Sequence, residues 1–242
     1  MTYLQLKKLI GILIIVCIGM AFLFVGRSFY MPLIYKAKGK ETVSSVTEKI
    51  SKHVQRRLAK NLQRAGFTNS YPDEIVLAAF KETRSLEVYA KTDKGYSLLK
   101  TYPFTAYSGE LGPKLQEGDK QIPEGIYRVE YLNPNSSYYL SIKVNYPNAY
   151  DISKSNLTSV KEMGGDIFIH GKAATIGCIP IGDEAIEEIF LLTHKADSKV
   201  KIIISPRDFR TNPNYPSIAG IDWETELYDL ISNELRLIKS DR

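Results

Sequence analysis

The sequence is poor in the residues that cross-link a chain or build a metal site. It has two cysteines, three histidines and one tryptophan in 242 residues. Cys17 lies in an apolar run and Cys178 in a glycine-flanked turn far from it, so no disulfide is expected. His53, His170 and His194 are scattered, and a zinc site wants three or four ligands, so no metal is expected. A phosphate-cradling glycine loop and a Ser-His-Asp elbow are both missing, and no cofactor is expected. Strong charge of one sign is missing too. The net charge is +5, but Lys7, Lys8 and Arg27 precede every acidic residue; without them 29 basic residues face 27 acidic ones. A nucleic-acid partner would call for a concentrated basic stripe, and none is seen. What the chain does have in quantity is tyrosine, 16 residues, which suits a β-rich body.

One long hydrophobic run is present. Leu9–Val25 reads LIGILIIVCIGMAFLFV, with no charge inside and Lys7, Lys8 and Arg27 at its ends. The run approaches the roughly 20 residues that span a bilayer. A cleaved signal peptide would show a shorter apolar region and a small-residue cleavage site. Cys17 follows Val16, which does not suit a lipoprotein signal. The expectation is therefore one N-terminal transmembrane helix, a signal anchor within 1–35. Lys36, Lys38 and Lys40 follow the run, so basic residues on both sides give no orientation.

A polar linker and an amphipathic helix fill 36–70. Val46, Ile50, Val54, Leu58 and Leu62 recur at helical spacing, with Lys49, Lys52, Gln55, Arg56 and Lys60 on the opposite face and Ala65-Gly66 as its stop. That basic face reads as solvated surface. From 71 to 208 the pattern turns to strands: 74–80, 85–90, 96–102, 126–132, 138–144, 166–170 and 199–205. A long Gly/Pro/charge-rich loop covers 109–125, a length that tends to be functional. Asp183 is placed to cap a helix running through Leu191, and an amphipathic helix over 223–238 forms a C-terminal extension, 209–242. The fold class is mainly β with flanking helices.

The chemistry concentrates between Gly164 and Pro180. His170 ends a short apolar strand, and Cys178 follows eight positions later in a turn. A thiol attacks a carbonyl only as thiolate, and a histidine within hydrogen-bond reach can take its proton. Such a thiol is expected to have a depressed pKa. Gly171 and Gly177 allow tight backbone paths, and N–H groups around Gly177 and Cys178 can face a developing oxyanion. Spacing alone leaves a second reading open: His170 as a satisfied core histidine and Cys178 as a packing residue.

Several blocks in order resemble one family. AFKETRSLEVYAK from Ala79, then the segment from Leu98 to Pro103; Gly112-Pro-Lys, Glu117-Gly-Asp and Pro123 to Tyr127; Leu132 to Ser136 and Asn145 to Asp151; and His170–Gly171 with Thr175 to Cys178 resemble the L,D-transpeptidase catalytic-domain family (YkuD type), in its YafK-like branch. The resemblance implies a β-sandwich-like catalytic domain acting on peptidoglycan stem peptides through a thioester acyl-enzyme. It implies Cys178 as nucleophile, His170 as proton acceptor and donor, and the Gly171 carbonyl as the group that orients the imidazole. Gly177, with Thr175, Lys172 and Lys114, would serve the oxyanion or the substrate. Many members carry a histidine where Ile176 stands and an arginine where Pro180 stands, so the carboxylate contact would pass to Lys172, Lys114 or Arg207. Transfer to an amine would crosslink the wall or attach a lipoprotein, whereas transfer to water would make an amidase or carboxypeptidase. A non-catalytic wall-binding module is the third reading. Each of these places the domain outside the cytoplasmic membrane, in the periplasm.

Overall fold

The computed structural model describes residue 5, residues 39–197 and residues 199–238. The apolar run with Cys17 lies outside these residues; among those described, no helix is long and apolar enough to cross a membrane. From Thr42 onward the chain packs as one unit.

The apolar runs IVLAAF and KIIIS explain the centre of that unit. Strands buried on both faces read as continuous hydrophobic runs rather than alternating ones. β1 (Ile75–Phe80) and β8 (Val200–Ser205) are of this kind and lie parallel, Leu77 opposite Ile202. Ile75, Leu77, Ala79, Ile202 and Ile204 face one core; Val76, Ala78, Phe80 and Ile203 face another. β2 (Ser85–Thr92) and β3 (Gly95–Pro103) extend the sheet on one side by antiparallel hairpins. β4 (Gly125–Ser136), β5 (Tyr139–Val144), β6 (Phe168–His170) and β7 (Ile179–Pro180) extend it on the other.

The order is β3-β2-β1-β8-β4-β5-β6-β7, eight strands in one curled sheet. The sandwich-like expectation is thereby refined. β4 is twelve residues long and serves both halves: Gly125–Arg128 pairs with β8, and the stretch beyond Val129 pairs with β5 across register shifts. Irregular pairing of this sort bends a strand and increases its twist, so the sandwich-like body is one continuous curled sheet.

Helices cover both faces. α1 (Val43–Arg64) starts at a Thr42 capping box, Thr42 accepting from Ser45 N at 3.1 Å, and buries Val46, Ile50, Val54, Leu58 and Leu62. A short α2 (Ala149–Lys154) and a 3-10 turn (Val160–Met163) lead into β6. α3 (Asp183–Lys195) packs beside α1, and α4 (Glu224–Leu237) covers the other core with Leu227, Tyr228, Ile231 and Leu235. α1 and α3 are clamped by Arg57, which donates to Glu187 and Glu188 at 2.7 Å each. Glu188 is almost fully buried and also accepts from Lys100 and Tyr102.

Candidate active site

β6 and β7 have three and two residues, too few to hold a position by backbone pairing alone. Their apolar side anchors them: Ile142 of β5, Ile169 and Ile179 stand in register and are fully buried. Each such side chain contributes roughly 1.5–3 kcal/mol by leaving water. Because side chains alternate, the neighbouring positions all point to the other face. Ser141 and Lys143 of β5, Phe168 and His170 of β6, and Pro180 of β7 therefore share one surface, and Cys178 immediately precedes β7. The strand end is further fixed by Gly171 N donating to Leu140 O and Ile181 N to His170 O.

His170 is 1% exposed. Its Nδ1–H donates to Gly171 O at 2.5 Å, which fixes the tautomer and leaves Nε2 as the basic nitrogen. The Tyr138 ring lies 4.5 Å from the imidazole at a 34° tilt and shields it from solvent. Gly171 admits no side chain: a Cβ would lie 2.6 Å from Asp183 Oδ1 and 2.8 Å from Tyr138 O. Burial holds the imidazole below its ordinary pKa, the bond to Gly171 opposing.

Cys178 sits in the turn that returns beside β6. Its Sγ–H donates to Asp166 O at 3.4 Å. Burial pushes its pKa up, with the Phe168 N–H, Lys143 and Lys114 pulling the other way and Asp166 adding to the rise. The depressed thiol expected from the sequence is thus corrected: both shifts favour the neutral thiol–imidazole pair at rest. The cause is desolvation, which composition does not reveal.

The turn is built around Thr175. Its Oγ1 accepts from Gly177 N at 3.2 Å and Cys178 N at 2.8 Å, and donates to Cys178 O at 2.7 Å. The two N–H groups expected to face an oxyanion do converge on one oxygen, and at rest that oxygen is the threonine hydroxyl. Gly177 has φ +120°, and a Cβ there would lie 2.9 Å from Gln121 O in the 109–125 loop. That loop is stiffened by Asp119, which accepts from Lys114 Nζ at 2.6 Å and from the Leu115, Gln116 and Gln121 N–H groups. Burial works to raise the Asp119 carboxyl, but these donors more than offset it and hold it below the usual range.

The cations named from sequence are committed elsewhere. Lys114 is buried against Asp119 and Gln116 O. Lys172 pairs with Asp183, and Arg207 with Glu82 at 3.0 Å. Asp183 does not cap its helix: Gly182 is the N-cap, without a side-chain bond, because the Asp183 carboxylate accepts from Lys172 N and Nζ. The cation on the site's own face is Lys143, which a single lysine inside an apolar strand did not betray. A cavity of about 500 Å³ adjoins the α3 end of the site, lined by Ile181, Gly182 and Asp183 with Arg57 and Lys100, but neither His170 nor Cys178 lines it.

Residues 75–204 match the family model of the YkuD L,D-transpeptidase catalytic domain, and the chain belongs to that family. The chain is similar to YafK of Escherichia coli (strain K12), which carries an L,D-transpeptidase name: 40% identity over 118 residues, 48% of this chain and 46% of that protein. The chain thus spans about half the length of the relatives it matches. Among solved structures it resembles the helical cell shape determining protein Pgp2 from Campylobacter jejuni, at 18% identity, 71% and 73% coverage and a TM-score of 0.46. It also resembles Bd1075 of Bdellovibrio bacteriovorus, at 21% identity, 71% and 57% coverage and a TM-score of 0.40.

Proposed function

We propose that the chain is a peptidoglycan L,D-transpeptidase acting through Cys178 and His170. One observation carries this reading: His170 ends β6 and Cys178 immediately precedes the paired strand β7, with His170 Nδ1 spent on Gly171 O and Nε2 left to take a proton. Cys178 Sγ gives its proton to Nε2 as the S–C bond forms at the carbonyl of the stem peptide's diamino acid. The oxygen becomes an oxyanion and replaces Thr175 Oγ1 at the Gly177 and Cys178 N–H groups. The tetrahedral carbon then expels the D-alanine amine, which takes the proton from Nε2 as the C–N bond breaks, leaving a thioester. An acceptor amine attacks that carbonyl, passes its proton to Nε2, and the thiol is restored as the new amide forms. Because thiol and imidazole rest neutral, proton transfer accompanies attack instead of preceding it. Turnover should hold its plateau down to a pH below the ordinary imidazole range and fall only as His170 protonates.

The Leu9–Val25 run supports a single-pass anchor in the cytoplasmic membrane, and a peptidoglycan substrate calls for this domain on the periplasmic side. Protease added to spheroplasts should digest the domain; protection until lysis would reverse the orientation.

The catalytic reading is tested on the full-length chain and its Cys178→Ala variant, with free and protein-linked muropeptides read by mass spectrometry. Loss of D-alanine with a new crosslink or lipoprotein link, dependent on Cys178, is the expected result. Gain of water without a new link would make the chain an L,D-amidase or carboxypeptidase. No Cys178-dependent product would leave a wall-binding module.

A further inference from the structure

Lys143 is almost buried, yet it stands opposite Phe168 on the face of the sheet that carries His170, and it shares Asp166 as a hydrogen-bond partner with Cys178. Its Nζ donates to Gly165 O and to Asp166 Oδ1 at 3.1 Å, and lies 4.8 Å from the Phe168 ring centroid. The partners differ sharply in exposure: the lysine side chain is 9% exposed and the aspartate side chain 95%. A carboxylate in full contact with water therefore reaches a nearly desolvated amine, so the approach to Nζ is open on that side. An exposed carboxylate is held weakly, because water competes for it.

Asp166 also measures the distance that matters. Its backbone oxygen accepts from Cys178 Sγ–H, and its side chain reaches Lys143 Nζ. Nucleophile and cation thus lie about one residue apart. In a stem peptide the attacked carbonyl and the carboxylate of the terminal amino acid are also one residue apart. Lys114, Lys172 and Arg207 already hold Asp119, Asp183 and Glu82.

We propose that Lys143 is the carboxylate receptor of the site: the free carboxylate of the leaving residue displaces the Asp166 side chain from Lys143 while the preceding carbonyl meets Cys178. This rests on the acyl-transfer reading above and narrows it. The preferred donors are peptides whose scissile amide lies one residue from a free C-terminal carboxylate.

Binding separates the two ideas, because it needs no turnover. Calorimetry on the full-length Cys178→Ala chain would compare a stem tetrapeptide ending in D-alanine with its C-terminal carboxamide. The acid should bind about 10- to 100-fold more tightly, the range of a hydrogen-bonded charge. Lys143→Met in the same background should remove that preference. Asp166→Asn, which deletes only the competing carboxylate, should tighten the acid about two- to fivefold and leave the carboxamide unchanged. Equal affinity for acid and carboxamide, or no gain on Asp166→Asn, would overturn the proposal, and the second result does not depend on the lysine variant folding. If neither peptide binds, the substrate reading and the receptor fall together. If the acid is preferred but the protein with Cys178 intact forms no product, the receptor stands and the acyl-transfer reading falls.

Discussion

Three lysines are buried among the described residues, Lys81, Lys114 and Lys143, and the surroundings of the first and the last divide the molecule. Lys81, just after β1, has a fully buried side chain, and so does its partner Glu124 at 2.9 Å. Its Nζ also donates to Gly112 O and Ile122 O, while Glu124 accepts from Gly112 N and from Tyr228 OH of α4. Each of these partners is interior, so the pair ties β1, the 109–125 loop and the last helix into one piece. Lys143 meets a carbonyl and a carboxylate whose side chain stands in solvent. The same residue type thus fixes structure where its counter-ion is enclosed and presents charge where the counter-ion can leave.

The largest expected effect falls on the enclosed pair. Lys81→Met leaves Glu124 without its cation in the interior and should cost about 3–5 kcal/mol in urea unfolding. A loss under about 1 kcal/mol would mean that Glu124 escapes to water, and the contrast between the lysines would collapse. Next comes the point where the anchored loop meets the site. Gly177→Ala forces a side chain onto a left-handed backbone against Gln121 O and should cost about 1–3 kcal/mol, with lower turnover at temperatures where the chain stays folded. Lys143→Met should cost only about 1 kcal/mol, since Asp166 remains hydrated. That variant also loses a cation that lowers the Cys178 pKa, so its alkylation-against-pH curve should move further to alkaline pH; an acid shift or none would remove Lys143 from the thiol's electrostatics. Asp166→Asn should change stability by under about 0.5 kcal/mol, and a larger loss in thermal melts would mark the open pair as structural.

The pattern of α1 and of the long strands was legible because it is local: Val46, Ile50, Val54, Leu58 and Leu62 at helical spacing, and IVLAAF as a strand buried on both faces. That His170 ends a short apolar strand and Cys178 lies in a glycine-flanked turn was legible from residue types and glycines. The partners that set their electrostatics were not. Lys143 and Tyr138 meet His170 and Cys178 through the β5–β6–β7 register, which no local period encodes. The two-residue β7 is too short for a period of its own, and the bend in β4 depends on pairing with both β8 and β5. Asp183 carries the signature of a helix cap, but a backbone N–H and a lysine from the neighbouring turn claim it first.

Tyr228 bears on where the protein can be cut. Its ring packs with Phe209 and Tyr215, and its hydroxyl reaches Glu124 at the end of the central loop. A shortened chain ending at Asp208 would keep every residue from β1 to β8, yet it would uncover Phe80, Tyr89 and Ile203 and strip a donor from an interior carboxylate. The C-terminal stretch is therefore a lid on the hydrophobic interior, and a portable catalytic module would have to carry it along.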